Sequence, residues 1–141
     1  MYQSMPMPHM ILARVYVQRR MFSEAMKEFQ SAVTLSGNHP LYRAWLGYGY
    51  AISGRRREAQ QIIEELTRPS NTKYVSPYDV AAIWTGLGDK HQAVKCLQKT
   101  YEDRAVLHLI HIHVEPVFNP LQSDPGFQEL VRRMGLLSTP T

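Results

Sequence analysis

Cysteine is nearly absent. Cys96 is the one cysteine in 141 residues, which leaves no intramolecular disulfide framework and no cysteine-based zinc cluster. That scarcity suits a reducing compartment, so a cytoplasmic location is the expectation. Long apolar runs are missing too: nothing approaches the roughly 18 uninterrupted apolar residues of a spanning helix, and no membrane association is expected. The opening stretch "MYQSMPMPHMILARVYVQRR" has no basic start followed by a long apolar run, so it does not read as a signal peptide. There is no glycine-rich phosphate loop, no nucleophile elbow and no two-histidine helix with an intervening acid. An enzyme is therefore not expected, nor a cofactor. Net charge is +4, too small by itself to imply nucleic acid.

What remains is an ordinary globular composition, 44% apolar and 20% charged, in a chain of single-domain length. Such a chain buries roughly two-thirds of its unfolded surface, enough for stability without staples. Patterned sequence begins almost at once, as it would in a piece of a longer protein.

The chain repeats. Leu12, Leu46 and Val80 are evenly spaced, and the same interval separates Ala13, Gly47 and Ala81; Tyr16, Tyr50 and Trp84; and Ala25, Ala59 and Ala93. Gly54 and Gly88 continue the offset. Four columns that agree in size and chemistry at one period mark a repeat architecture. Within a unit, Leu12, Ala13 and Tyr16, then Ala25, Phe29 and Ala32, recur at helical three- and four-residue steps. Each unit therefore predicts two antiparallel helices. The turn Gln18–Ser23 separates the first pair, with Ser23 as the expected N-cap. Gly54 and Arg55–Arg57 form the second turn; Gly88 as C-cap and Asp89 as N-cap form the third. Small residues at 13, 47 and 81 and at 25, 59 and 93 mark close helix approach. Rings at 16, 50 and 84 fill the space beside it.

The stretches "LARVY…EAMKEFQSA", "LGYGYAISGRRREA" and "VAAIWTGLGDKHQAVKCL" resemble tetratricopeptide repeats, whose unit is a helical hairpin of about 34 residues. The resemblance implies an all-α fold: a right-handed solenoid of three such units at about 6–39, 40–73 and 74–105 (together 6–105). A capping segment and helix follow over 106–136, and a disordered tail over 137–141. His9 and Arg43 depart from the family where an aromatic often opens the unit, and Gly37 where proline often closes it. Ile63 and Leu97 replace the usual aromatic represented by Phe29.

The segments "YVSPYDVA" (74–81) and "VEPVFNPLQSDPGFQELVRRMGL" (114–136) resemble the ending of many bacterial tetratricopeptide-containing regulators and kinases. Asn119, Gln122 and Gly126 depart from it, where charged residues are common. From the residues themselves, Asp124 caps, Pro125 opens, and Phe127, Leu130, Val131 and Met134 form an apolar stripe that ends at Gly135. A short helix of this kind covers the apolar face that a last repeat otherwise exposes.

Function rests on the remaining surface. By spacing, Met10, Arg14 and Gln18, then Ala44, Tyr48 and Ile52, then Tyr78, Ala82 and Thr85 face the concave side, with Trp45 and Asp79 beside them. The predicted partner-binding groove is Met10, Arg14, Gln18, Trp45, Tyr48, Tyr78 and Asp79, apolar and aromatic with a cationic handle. Tyr48 and Tyr78 serve equally well as packing between helices. The lysine and asparagine clamp by which some tetratricopeptide domains hold a C-terminal carboxylate is not matched. Only Arg14 suits it, and Asp79 would repel a carboxylate.

Arg19, Arg20, Arg55, Arg56, Arg57 and Lys90 fall in the inter-helix turns and form a basic rim. The rim either steers an acidic partner or nucleic acid, or simply solvates the edge. Cys96 sits among apolar positions as a packed thiol. In "LHLIHIHVEP", His108, His111 and His113 are a weak zinc candidate. Their alternation with apolar residues reads equally as the wet side of a lid.

The expectation is thus a non-catalytic module binding a partner peptide or protein in the concave groove. The alternative is a regulatory segment of a larger bacterial transcriptional regulator or kinase. Weak self-association through an exposed edge repeat is a third reading; nucleic acid is not the expected partner.

Overall fold

The computed structural model describes residues 4–103, 109, 112 and 114–135, and all regular structure among them is helical. The elements are α1 (Pro6–Gln18), α2 (Phe22–Leu35), α3 (Pro40–Ile52), α4 (Arg56–Thr67), α5 (Pro77–Leu87), α6 (Lys90–Glu102), a 3-10 helix (Pro116–Leu121) and α7 (Pro125–Arg133). The chain divides into two compact units, Met1–Val75 and Ser76–Thr141. The division falls near the expected end of the second repeat.

Local chemistry sets the helix ends. Prolines open α1, α3, α5 and α7, where a missing N–H costs nothing and the ring presets φ. Gly88 closes α5 at φ 83°, in the left-handed region that suits glycine, and the Asp89 carboxylate accepts from the Gln92 N–H at 3.1 Å to start α6. Asp124 caps α7 in the same way through the Phe127 N–H at 3.1 Å.

In the first unit the helices pack as consecutive hairpins: α1 on α2, α2 on α3 and α3 on α4, with α1 also reaching α3. The turns at 19–21 and 53–55 are too short for anything but antiparallel neighbours. Ala13, Ala25, Gly47 and Ala59 are buried where the helices touch. At Gly49 the approach is close: an added Cβ would lie 2.8 Å from both Met26 Sδ and Phe29 Cδ2. Each hairpin also carries a polar clamp. His9 of α1 meets Glu28 of α2 at 2.5 Å. Arg43 of α3 donates from Nε and Nη2 to the two carboxylate oxygens of Glu65 on α4, at 2.9 and 3.1 Å. His9 and Arg43 stand one repeat apart. The positions where the resembling family opens with an aromatic thus tie the hairpin's two helices together here.

In the second unit α5 pairs with α6, and the 3-10 helix packs on both. Helix α7 lies on α6 and buries Phe127, Leu130 and Val131. Phe118, Leu121, Leu97 and Ile83 fill the interior with no more than traces of exposure. Thr100, fully buried, donates its hydroxyl to the Cys96 carbonyl at 3.0 Å, so its burial leaves no unmet donor.

The structure corrects details of the sequence reading. Ser23 is not the N-cap of α2. The Met21 carbonyl already accepts from the Ala25 N–H at 3.0 Å, the helix starts at Phe22, and Ser23 lies in its first turn. Leu12 is 39% exposed, whereas Leu46 and Val80 of the same column are buried. Met134, expected at the end of the α7 stripe, is half-buried. His108, His111, His113 and the tail 137–141 lie outside the described residues.

Candidate functional site

The predicted groove residues of the first unit come together around one ladder of rings. Arg14, half-buried on α1, holds its guanidinium carbon 4.6 Å from the centroid of the Trp45 ring on α3. Trp45 meets Tyr48 edge-on, with centroids 5.3 Å apart at 69°. Tyr48 in turn meets Phe29 of α2 at 6.5 Å and 86°. Edge-to-face contacts of this kind let the positive rim of one ring face the π cloud of the next. Trp45 and Tyr48 are 2% and 5% exposed, so they form the floor beneath Arg14 and not an open aromatic wall. Met10, one turn before Arg14, is also buried, while Gln18, one turn after it, is exposed. The accessible part of the predicted groove in this unit is therefore Arg14 and Gln18.

The burial of Tyr48 comes from its neighbour. Gly49 admits α2 so closely that the Phe29 ring lands beside the tyrosine. Phe29, missed as part of the site, is what anchors the ladder. The "GYGY" run at 47–50 was the available signal, since glycine on a helix face permits close approach.

Tyr78 and Asp79 belong to the second unit. Tyr78, at the start of α5, meets the buried Phe118 edge-on at 5.3 Å and 77°; the ring is half-buried and helps pack that unit. Asp79 is buried in the first turn of α5, where the helix dipole favours a negative charge. Ala44, Ala82 and Thr85, also expected on the concave side, are buried, and Ile52 is half-buried.

The rim residues are exposed throughout. Arg19, Arg20 and Arg55 occupy the α1–α2 and α3–α4 turns; Arg56 and Arg57, expected in the second turn, instead form the first residues of α4, and Lys90 opens α6 in the second unit. Alternating helix direction puts both arginine turns at the same end of the first unit. Arg55 stacks over Tyr50 at 4.7 Å and stands 3.6 Å from Glu58. Glu24 and Glu58, in the first turns of α2 and α4, temper the positive field.

The Cys96 thiol is half-buried, and burial pushes its pKa up to about 11. At neutral pH it is a protonated thiol, a poor nucleophile and a poor metal ligand. Among the described residues, no three His, Cys, Asp or Glu side chains gather closely enough to hold a metal ion. Also among them, no helix is long and apolar enough to cross a membrane. Set against protein-family models, curated proteins and solved structures, the chain matches none.

Proposed function

We propose that this chain is a non-catalytic protein-binding module of three tetratricopeptide-like hairpins and a capping helix, which receives a partner segment over α1 and α3 of the first unit. The observation that carries the reading is Arg14 over Trp45. A cation seated on a buried ring is ordered before any partner arrives, which reduces the entropy lost on binding. Arginine on an aromatic floor is also the side-chain pairing favoured at binding hot spots. Gln18, exposed one turn on, adds a donor and an acceptor beside it. The evenly spaced columns support the repeat reading: Ala13, Ala81, Ala25, Ala59 and Ala93 are all at 1% exposure or less.

The test is affinity capture with the immobilised chain and mass spectrometry of what is retained. Arg14→Ala with Gln18→Ala should lose the retained partner while the melting midpoint stays within a few degrees of wild type. Capture unaltered by the double substitution rejects the α1–α3 surface.

A second reading has its own observation. Five exposed arginines share one end of the first unit, a placement suited to an acidic partner of a larger regulator. Such binding weakens as salt screens the charges, whereas the Arg14 surface, with its buried floor, is less sensitive to salt.

A further inference from the structure

The turns after α1, α3 and α5 stand one repeat interval apart and close alike. The Met21 N–H donates to the Tyr16 carbonyl at 2.9 Å, the Arg55 N–H to Tyr50 at 2.9 Å and the Asp89 N–H to Trp84 at 3.0 Å. This closure ends a helix on a left-handed residue. The residues in that place are Arg20 at φ 58°, Gly54 at φ 82° and Gly88 at φ 83°. An added Cβ at Gly54 or Gly88 would meet nothing within 4 Å, so glycine stands there for its backbone and not for space. Arginine in that conformation costs stability. Among the described residues the other non-glycine at positive φ is Asn38, a type that enters this region readily. Arg20 is exposed, so packing does not explain it. Strain of this kind collects where a side chain serves function. Arg56 and Arg57, in turn, open α4, the end at which the helix dipole disfavours a cation. This end of the first unit goes against local stability twice, each time with arginine.

We infer that Arg20 and Arg55 seat the carboxylates of an acidic peptide segment laid across the α1–α2 and α3–α4 turns. This rests on the second reading above, that the arginine end meets an acidic partner; it names that partner's chemistry and makes Arg20 a residue retained against stability. Arg55 is already ordered, its guanidinium 4.7 Å from the centroid of the Tyr50 ring, and Arg19 stands exposed beside Arg20. Helices α1 and α3 are neighbours through Arg14 and Trp45. Their ends therefore lie roughly one helix spacing apart, about 10 Å, a distance that about three extended residues span. The planar guanidinium takes a carboxylate through two parallel hydrogen bonds. A nucleic-acid strand suits this end less well. Glu24 and Glu58, in the first turns of α2 and α4, repel an unbroken run of phosphates, whereas a peptide can place its acids at the arginines alone. Tyr50, lying under Arg55, offers no open face on which a base could stack.

The test is fluorescence anisotropy of the full chain at about 0.1 M salt, where distant charges are screened. The probe is a labelled peptide of alternating Glu and Ser, about ten residues long and so able to reach both turns; oligo-dT of the same length is the rival. The wild type should bind the peptide more tightly than the oligo-dT. Arg20→Gly should raise the melting midpoint by a few degrees and yet weaken the peptide about three- to five-fold. Lys99→Gln, which removes the same charge from the exposed face of α6, should leave the affinity unchanged. A wild type that ignores the peptide overturns this inference and the arginine-end reading together. Binding that falls with Arg55→Gln and Arg57→Gln combined but not with Arg20→Gly overturns the inference alone. So does a lower melting midpoint for Arg20→Gly, which would make the arginine structural. An equal loss from Lys99→Gln reduces the effect to net charge, and tighter binding of the oligo-dT gives the site to phosphates; either result overturns it.

Discussion

The Arg14 guanidinium and the Trp45 ring, 4.6 Å apart, join α1 to α3 across two consecutive hairpins. The two residues contribute unequally. Trp45 is almost wholly buried, and Trp45→Ala should cost about 3–5 kcal/mol in chemical denaturation, the usual range for emptying an aromatic site. Arg14 is half-buried, and Arg14→Ala should cost no more than about 1 kcal/mol of stability. Its larger effect should be on partner capture. A stability loss from Arg14→Ala as large as that from Trp45→Ala would make the arginine a structural strut.

Gly49→Ala tests the close approach of α2 to α3. The added methyl meets Met26 Sδ and Phe29 Cδ2 at 2.8 Å. Methionine can swing aside, but Phe29 is buried among Tyr48 and its neighbours. Overpacking of this kind costs about 1–3 kcal/mol, readable as a lower denaturation midpoint with an unchanged slope. Gly49→Ala as stable as wild type would mean that α2 is not held where the structure puts it.

The Arg43–Glu65 clamp gives stability a pH dependence. The hydrogen bond from Arg43 holds the Glu65 carboxyl below its ordinary range. A depressed folded pKa contributes stability above the unfolded value and loses it as pH falls through the folded one. Glu65 is 45% exposed, so solvent screening limits the contribution to about 0.5 kcal/mol. Wild type should exceed Glu65→Gln by that margin at neutral pH, and the difference should close in acid. A margin that persists at about pH 2 would show that the charge is not its source.

Cys96 should react slowly. With its pKa raised to about 11 by burial, the thiolate is scarce at pH 8, and alkylation should lag far behind that of a free thiol. Adding denaturant should restore the ordinary rate. Fast alkylation of the native chain would place the thiol at the surface.

The sequence held the helix ends where side-chain chemistry alone decides them. Gly88–Asp89 and Asp124–Pro125 were legible because a left-handed glycine, a capping carboxylate and a first-turn proline act within a few residues. The burial of Ala13, Ala25, Ala59, Ala81 and Ala93 was legible because small residues at one fixed spacing stand out whatever the local detail. Ser23 misled because a serine before an apolar run resembles a cap, while the chain had already entered the helix at Met21. The floor of the site was harder to read. That Tyr48 is covered while Gln18 is open depends on how near α2 comes to Gly49, and spacing along one helix does not encode that distance. Leu12 looked like its buried counterparts Leu46 and Val80 because periodicity records a position in a repeat, not whether a neighbour covers it.

The proposed binding surface rests on one register, in which helical hairpins recur at a fixed period with a small residue where the paired helices touch. Ala25, Ala59 and Ala93 occupy that place in α2, α4 and α6, each at 1% exposure or less. Gln30, Glu64 and Gln98 keep the same spacing on the same helices at exposed or half-buried positions. Thermal or chemical denaturation of the six single leucine variants measures the register directly. Leucine at each alanine should cost a similar amount, about 1–3 kcal/mol or more, while leucine at the three polar positions should stay within about 0.5 kcal/mol of wild type. An alanine of the three that accepts leucine as easily as the polar positions do would contradict the repeat.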